Sequence, residues 1–96
     1  MTASTPVSDR LTRRLGAVPW YQDGFRGMAV RARPDVPAFD DSMIRGALMR
    51  AALTCNLYEA LERALNRELW PLGYVADLER SVSDRAMVQV EISADR

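Results

Sequence analysis

Apolar and polar residues alternate in two regions of this chain, and between them apolar residues recur at helical spacing. From Phe25 to Arg33, Met28, Val30 and Ala32 fall on one side, and Gly27, Arg31 and Arg33 on the other. That two-residue period predicts a half-buried strand, which Pro34 and Pro37 end. Near the end of the chain Tyr74, Ala76 and Leu78 alternate with Val75, Asp77 and Glu79. Ala86, Val88, Val90 and Ile92 then alternate with Met87, Gln89 and Glu91. These two runs predict an antiparallel hairpin across Arg80 to Arg85.

The middle of the chain follows a different period. Asp40, Asp41 and Ser42 open a helical region, with acids at the positive end of the helix dipole, and Pro71 stops it after Trp70. Asp41 and Arg45, and likewise Glu59 and Arg63, stand four apart in the favourable order for ion pairing along a helix. Ile44, Ala51, Tyr58 and Leu65 are seven apart, as are Leu48 and Cys55; Glu62 interrupts that second row before Leu69. The continuous seam predicts one long helix. Thr54, Cys55 and Asn56, all weak helix formers, mark where it would break, and Asn56 with Glu59 would then form a capping box for a second helix.

Ahead of these elements, Met1 to Val7 reads as a flexible tail. Ser8 can cap a short helix through Leu15, with Gly16 as its stop. The expected architecture is therefore α+β, one small two-layer domain over residues 8–96. It has a short N-terminal helix, one strand, a long or broken helix and a C-terminal antiparallel β-hairpin. Helices would cover the apolar face of the sheet. On the other face, Arg31 and Arg33 could meet Asp77, Glu79 or Glu91 across strands.

Composition narrows the chemistry. With 96 residues, 48% of them apolar, the chain has room for one modest core. No apolar run approaches the length of a membrane span, and the first eight residues lack the apolar segment of a signal peptide, so a cytoplasmic location is expected. There is no histidine and a single cysteine, Cys55, which sits among alanines and leucines as a buried thiol would. Zinc and the softer metals thus lack a ligand set. Asp35, Asp40 and Asp41 could hold magnesium only with a substrate phosphate, and helix capping explains the latter two better. All 13 basic residues are arginine, which removes Schiff-base chemistry and a P-loop lysine. Gly24-Phe25-Arg26-Gly27 is too short for a phosphate loop and reads as a strand entry or bulge. Glu62 is the one carboxylate on the apolar seam; buried there it would be a candidate acid–base group, but a nearby helix break that turns it to solvent, or a salt bridge to a neighbouring arginine, accounts for it better. No catalytic residue, cofactor or metal is expected.

Net charge is zero but unevenly spread. Residues 1–33 carry six arginines against two acids, a net of +4, and residues 34–96 carry −4. Arg10, Arg13, Arg14, Arg26, Arg31 and Arg33 are interleaved with Trp20, Tyr21 and Phe25, so phosphate contacts and stacking platforms lie close in sequence. The order strand, helix, helix over residues 26–70 resembles the ribbon–helix–helix repressors. The resemblance implies a strand whose alternate polar side chains, here Arg31 and Arg33, enter the major groove, with Thr54-Cys55-Asn56 as the inter-helix turn. A nucleic-acid-binding regulator using Arg13, Arg14, Arg31 and Arg33 is the alternative function. It ranks second because the strand–helix connection is long, the hairpin is an addition, and there is no overall positive field.

Association with protein ranks first. A three-stranded sheet would leave two open edges. Trp20, Tyr21, Phe25 and Trp70 lie at or near element ends, where large aromatics often anchor interfaces. The expected function is a non-catalytic interaction or assembly module that is homo-oligomeric or docked on a larger complex. Chains of this size and class are frequent among phage-related and other accessory proteins, an analogy of class alone.

Overall fold

The computed structural model describes residues 12–79 and 86–95. Four strands and two helices follow in the order β1 (Arg13–Pro19), β2 (Gly27–Ala32), α1 (Asp41–Thr54), α2 (Tyr58–Leu69), β3 (Tyr74–Glu79) and β4 (Met87–Ala94). Short 3-10 turns over Ala38–Asp40 and Trp70–Leu72 lead into α1 and out of α2. The fold is α+β, as the sequence predicts. The strands form one sheet in the order β1-β2-β4-β3, antiparallel at both outer pairs and parallel between β2 and β4. A parallel pair needs a crossover, and the two helices supply it.

The N-terminal expectation is corrected. Residues 13–15, assigned above to a helix, belong to β1, and Gly16 stops nothing. Gly16 instead sits at a bulge between Arg14 and the next paired residue, with φ at 87°. The bulge keeps both Leu15 and Val18 on the buried side. It also hid the strand from a two-residue period, because the extra residue breaks the alternation. The tail and the first part of the expected helix lie outside the described residues.

The long helix is broken where its weak formers stand. Cys55 and Leu57 are extended, at φ −117° and −129°. Arg50 and Glu68 then pair at 3.1 Å, whereas a straight helix would hold them about 27 Å apart. Both seam rows still reach the core: Ile44, Ala51 and Leu65, and Leu48, Cys55 and Leu69, are buried. Glu62 points to solvent, as a break nearby allows. The capping box does not form. Leu57, not Asn56, precedes α2 and makes no side-chain cap. Asp23 supplies the cap from afar, its Oδ2 accepting from the Tyr58 N–H at 2.8 Å. Nor does Arg45 serve Asp41. Asp41 receives a two-pronged contact from Arg13, at 2.5 and 3.2 Å.

Met28, Val30 and Ala32 from β2, Ala76 from β3, and Val88, Val90 and Ile92 from β4 form the sheet side of the core. The other face is polar, and there Arg31 pairs with Glu79 at 3.1 Å and Arg33 with Glu91 at 3.7 Å.

Candidate interaction surface

The two outer strands are each capped by side chains from the helices at part of their length. On β1, the Arg45 guanidinium from α1 donates to the carbonyls of Leu15 at 2.6 Å and Ala17 at 3.3 Å. Glycine at 16 suits both the φ of 87° and this approach, since a Cβ there would stand a tight 3.2 Å from Arg45 Nη1. On β3, Asn66 from α2 accepts from the Ala76 N–H at 2.7 Å and donates to the Ala76 carbonyl at 3.2 Å. Edge-capping side chains of this kind oppose strand addition. These contacts weaken the open-edge argument for association at Leu15, Ala17 and Ala76.

A second candidate surface is the solvent side of α1. Ile44, Ala47, Leu48 and Ala51 face the core. The opposite side of a helix should be polar, and on α2 it is, with Glu59, Glu62, Arg63 and Arg67 exposed. On α1 it carries Ser42, Gly46, Met49 and Leu53, with Met43 beside them. Leu53 is 87% exposed, Met43 49% and Met49 46%. Arg45 and Arg50 border the strip, but Arg45 is drawn to β1 and Arg50 to Glu68.

Beside the C-terminal half of this strip lies a cavity of about 350 Å³, lined by Pro19, Tyr21, Gln22, Met49, Ala52 and Leu53 with Trp20 among them. The β1–β2 connection forms its wall and is tied to the helices. Trp20 donates its Nε1–H to the Cys55 carbonyl at 2.7 Å, a group that the helix break frees from intrahelical bonding. Phe25 stacks between Trp20 and Tyr58, with ring centroids 5.6 and 5.1 Å apart. The turn at Asp23 and Gly24, both with positive φ, points Asp23 at the N-terminus of α2.

The four aromatic candidates thus divide. Trp20 is buried and Phe25 partly so, and both brace the wall of the cavity. Tyr21, 75% exposed, is brought onto the groove. Trp70 is also exposed, in the turn after α2, and is not among the groove's lining residues. Met49 and Leu53 of the strip, and Phe39, exposed in the turn that opens α1, were not among the sequence candidates. The available signal was that Met49 and Leu53 stand four apart yet belong to neither core row.

The four arginine candidates divide as well. Arg13 is half-buried, holding Asp41 and the Val36 carbonyl, the latter at 2.7 Å. That pairing raises its pKa further through the hydrogen bond to Asp41, against the opposing effect of burial. Arg14 is exposed and shares with Arg31, Gly16, Ala29 and Gln89 a second cavity of about 340 Å³ on the polar sheet face. Arg31 and Arg33 are in the ion pairs described above. The strand that would serve as the ribbon, β2, has a neighbour on each side.

Acids are equally dispersed. Asp40 accepts from the Tyr74 hydroxyl, Asp41 binds Arg13, and Asp35 faces the Ala94 N–H at 3.4 Å. Among the described residues no group of three potential metal ligands comes together. Cys55 is buried, with its Sγ 3.2 Å from the Leu57 carbonyl. No described helix is long and apolar enough to cross a membrane. Comparisons with protein-family models, with curated proteins and with solved structures find no match to this chain.

Proposed function

We propose that the chain is a non-catalytic protein–protein interaction or assembly module of the cytoplasm, homo-oligomeric or part of a larger complex, whose work requires no cofactor, metal or membrane. The observation that carries this reading is the solvent side of α1. Leu53, Met49 and Met43 stand exposed along one helix, with Tyr21 and its groove alongside. Scattered exposed apolar residues need no explanation, but a run of them along one helix beside a formed groove supports a contact surface. Covering Leu53 alone would contribute roughly 1.5–3 kcal/mol.

The nucleic-acid reading has weaker support. Arg13, Arg31 and Arg33 are committed to Asp41, Glu79 and Glu91 within the chain.

The test is co-purification of the tagged full chain from its own cells after mild cross-linking, beside Leu53→Arg. A stoichiometric protein partner, or a second copy, retained by the native chain and lost from the variant is the expected result. A chain that is monomeric at every concentration and retains no protein would overturn the reading.

A further inference from the structure

Resting on the interaction-module reading, we infer that the occupant of this surface is a second copy of the same chain, packed two-fold with the α1 helices antiparallel. Three features of the strip point to self-pairing. The first is its size gradient. Its N-terminal half carries small residues, Ser42 and Gly46, and its C-terminal half large ones, Met49 and Leu53. A two-fold pair requires one patch to complement itself. Antiparallel packing does this, because Leu53 of each copy then lies over Ser42 of the other, and Gly46 lies near the axis, where the backbones can approach closely.

The second feature is the placement of knob and hole. Phe39, 85% exposed, projects from the turn that opens α1, while the groove beside Tyr21 and Leu53 flanks its other end. Reversing one helix on another brings Phe39 of each copy to the groove end of its mate. The third is charge. The strip has no acid, and its bordering arginines are engaged with Glu68 and with the β1 carbonyls. Covering it therefore strands no charge, and it demands no partner of opposite sign.

Area sets the strength. A standard interface covers roughly 800 Å² on each partner. The 14 residues of α1 span about 21 Å, and one helix-to-helix contact of that length falls well short. Phe39 at one end and the Tyr21 loop at the other extend it, and for a contact of this modest extent self-association is sought over protein concentrations of about 1–100 μM.

Sedimentation of the full chain across that range, paired with cysteine cross-linking, tests the inference. Native protein should pass from monomer to dimer, and Leu53→Arg should remain a folded monomer at least tenfold beyond the native transition. Gly46→Cys should cross-link to itself on mild oxidation. The position tolerates the change, since an added Cβ meets only Arg50 Nη1, at 3.6 Å. Leu53→Cys should not self-link, its copies lying roughly 16 Å apart along the antiparallel pair, but should link to Ser42→Cys when the two are mixed. Self-linking of Leu53→Cys without the mixed product would mean parallel packing and overturn the geometry. A monomer throughout would overturn the second copy as occupant. If that monomer still retains a different protein in a Leu53-dependent way, the interaction-module reading survives; if it retains none, both fail.

Discussion

Asn66 and Ala76 form a closed pair: the side-chain amide of one takes both backbone groups of the other, at 2.7 and 3.2 Å, inside the core. The backbone of Ala76 points away from β4, so without Asn66 its N–H and carbonyl would be buried and unsatisfied. Each such group costs about 1–3 kcal/mol.

Asn66→Leu should therefore lower stability by at least about 2 kcal/mol, despite adding apolar surface, and reduce the melting temperature by roughly 8 °C or more. Asn66→Asp can accept from Ala76 but donates to its carbonyl only when protonated. That variant should be least stable at neutral pH and partly recover in acid. Calorimetry at pH 4 and pH 7 checks both; a native-like melt for Asn66→Leu would remove the pair from the core's support.

Trp20 makes a similar link between distant parts. Its indole N–H holds the Cys55 carbonyl at the helix break, so Trp20→Phe leaves that oxygen without its donor and opens a gap beside Phe25. The expected loss is about 1–3 kcal/mol in urea unfolding. The groove beside Tyr21 should loosen as well, raising amide exchange at Tyr21 and Gln22 more than in β4. Equal exchange in the variant and native chains would mean that Trp20 does not shape the groove.

Tyr74 should give the protein an alkaline limit. Its hydroxyl donates to Asp40, and that hydrogen bond, burial and the charge of Asp40 together push its pKa from 10 up to about 12. The folded chain thus holds this proton more tightly than the unfolded chain. The contribution is whole below pH 10, declines above it and is gone once the pH passes about 12. Denaturant midpoints between pH 9 and 12 should fall for the native chain, and fall less steeply for Tyr74→Phe. Identical slopes would contradict the contact.

Much of this was legible beforehand because periodicity reports burial. The alternation of Val88, Val90 and Ile92, and of Met28, Val30 and Ala32, places each set in the core, and apart from Glu62 and the partly buried Tyr58 the seven-residue rows of the helices point inward across the break. Single polar residues acting at long range left no such trace. Arg45 reads locally as the partner of Asp41 yet crosses to β1, and Asn66 reads as one more polar helix residue. The groove was half legible: Tyr21 stood out as an aromatic beside proline, whereas Met49 and Leu53 were hidden among the apolar residues of a helix presumed amphipathic. β1 was lost because Gly16 interrupts its alternation and its first two residues are Arg13 and Arg14.

The arginines of the sheet separate the two functional readings. Arg31 lies 3.1 Å from Glu79 and Arg33 lies 3.7 Å from Glu91, on a partly exposed face where such pairs contribute about 0–1 kcal/mol. Replacing both arginines with alanine should cost little stability. If the chain is an interaction module it should also leave dimerisation unchanged, because the face they occupy is opposite the helices. If instead these side chains enter a groove of DNA, the native chain should bind duplex at low salt, lose it steeply as salt rises, and lose most of it in the double variant. The expected outcome is the first, since each arginine would have to leave an acid in its own sheet before meeting a phosphate, and the acids would remain beside the DNA as repelling charges. A mobility shift at submicromolar protein that discriminates between sequences and depends on Arg31 and Arg33 would make the nucleic-acid regulator the better reading.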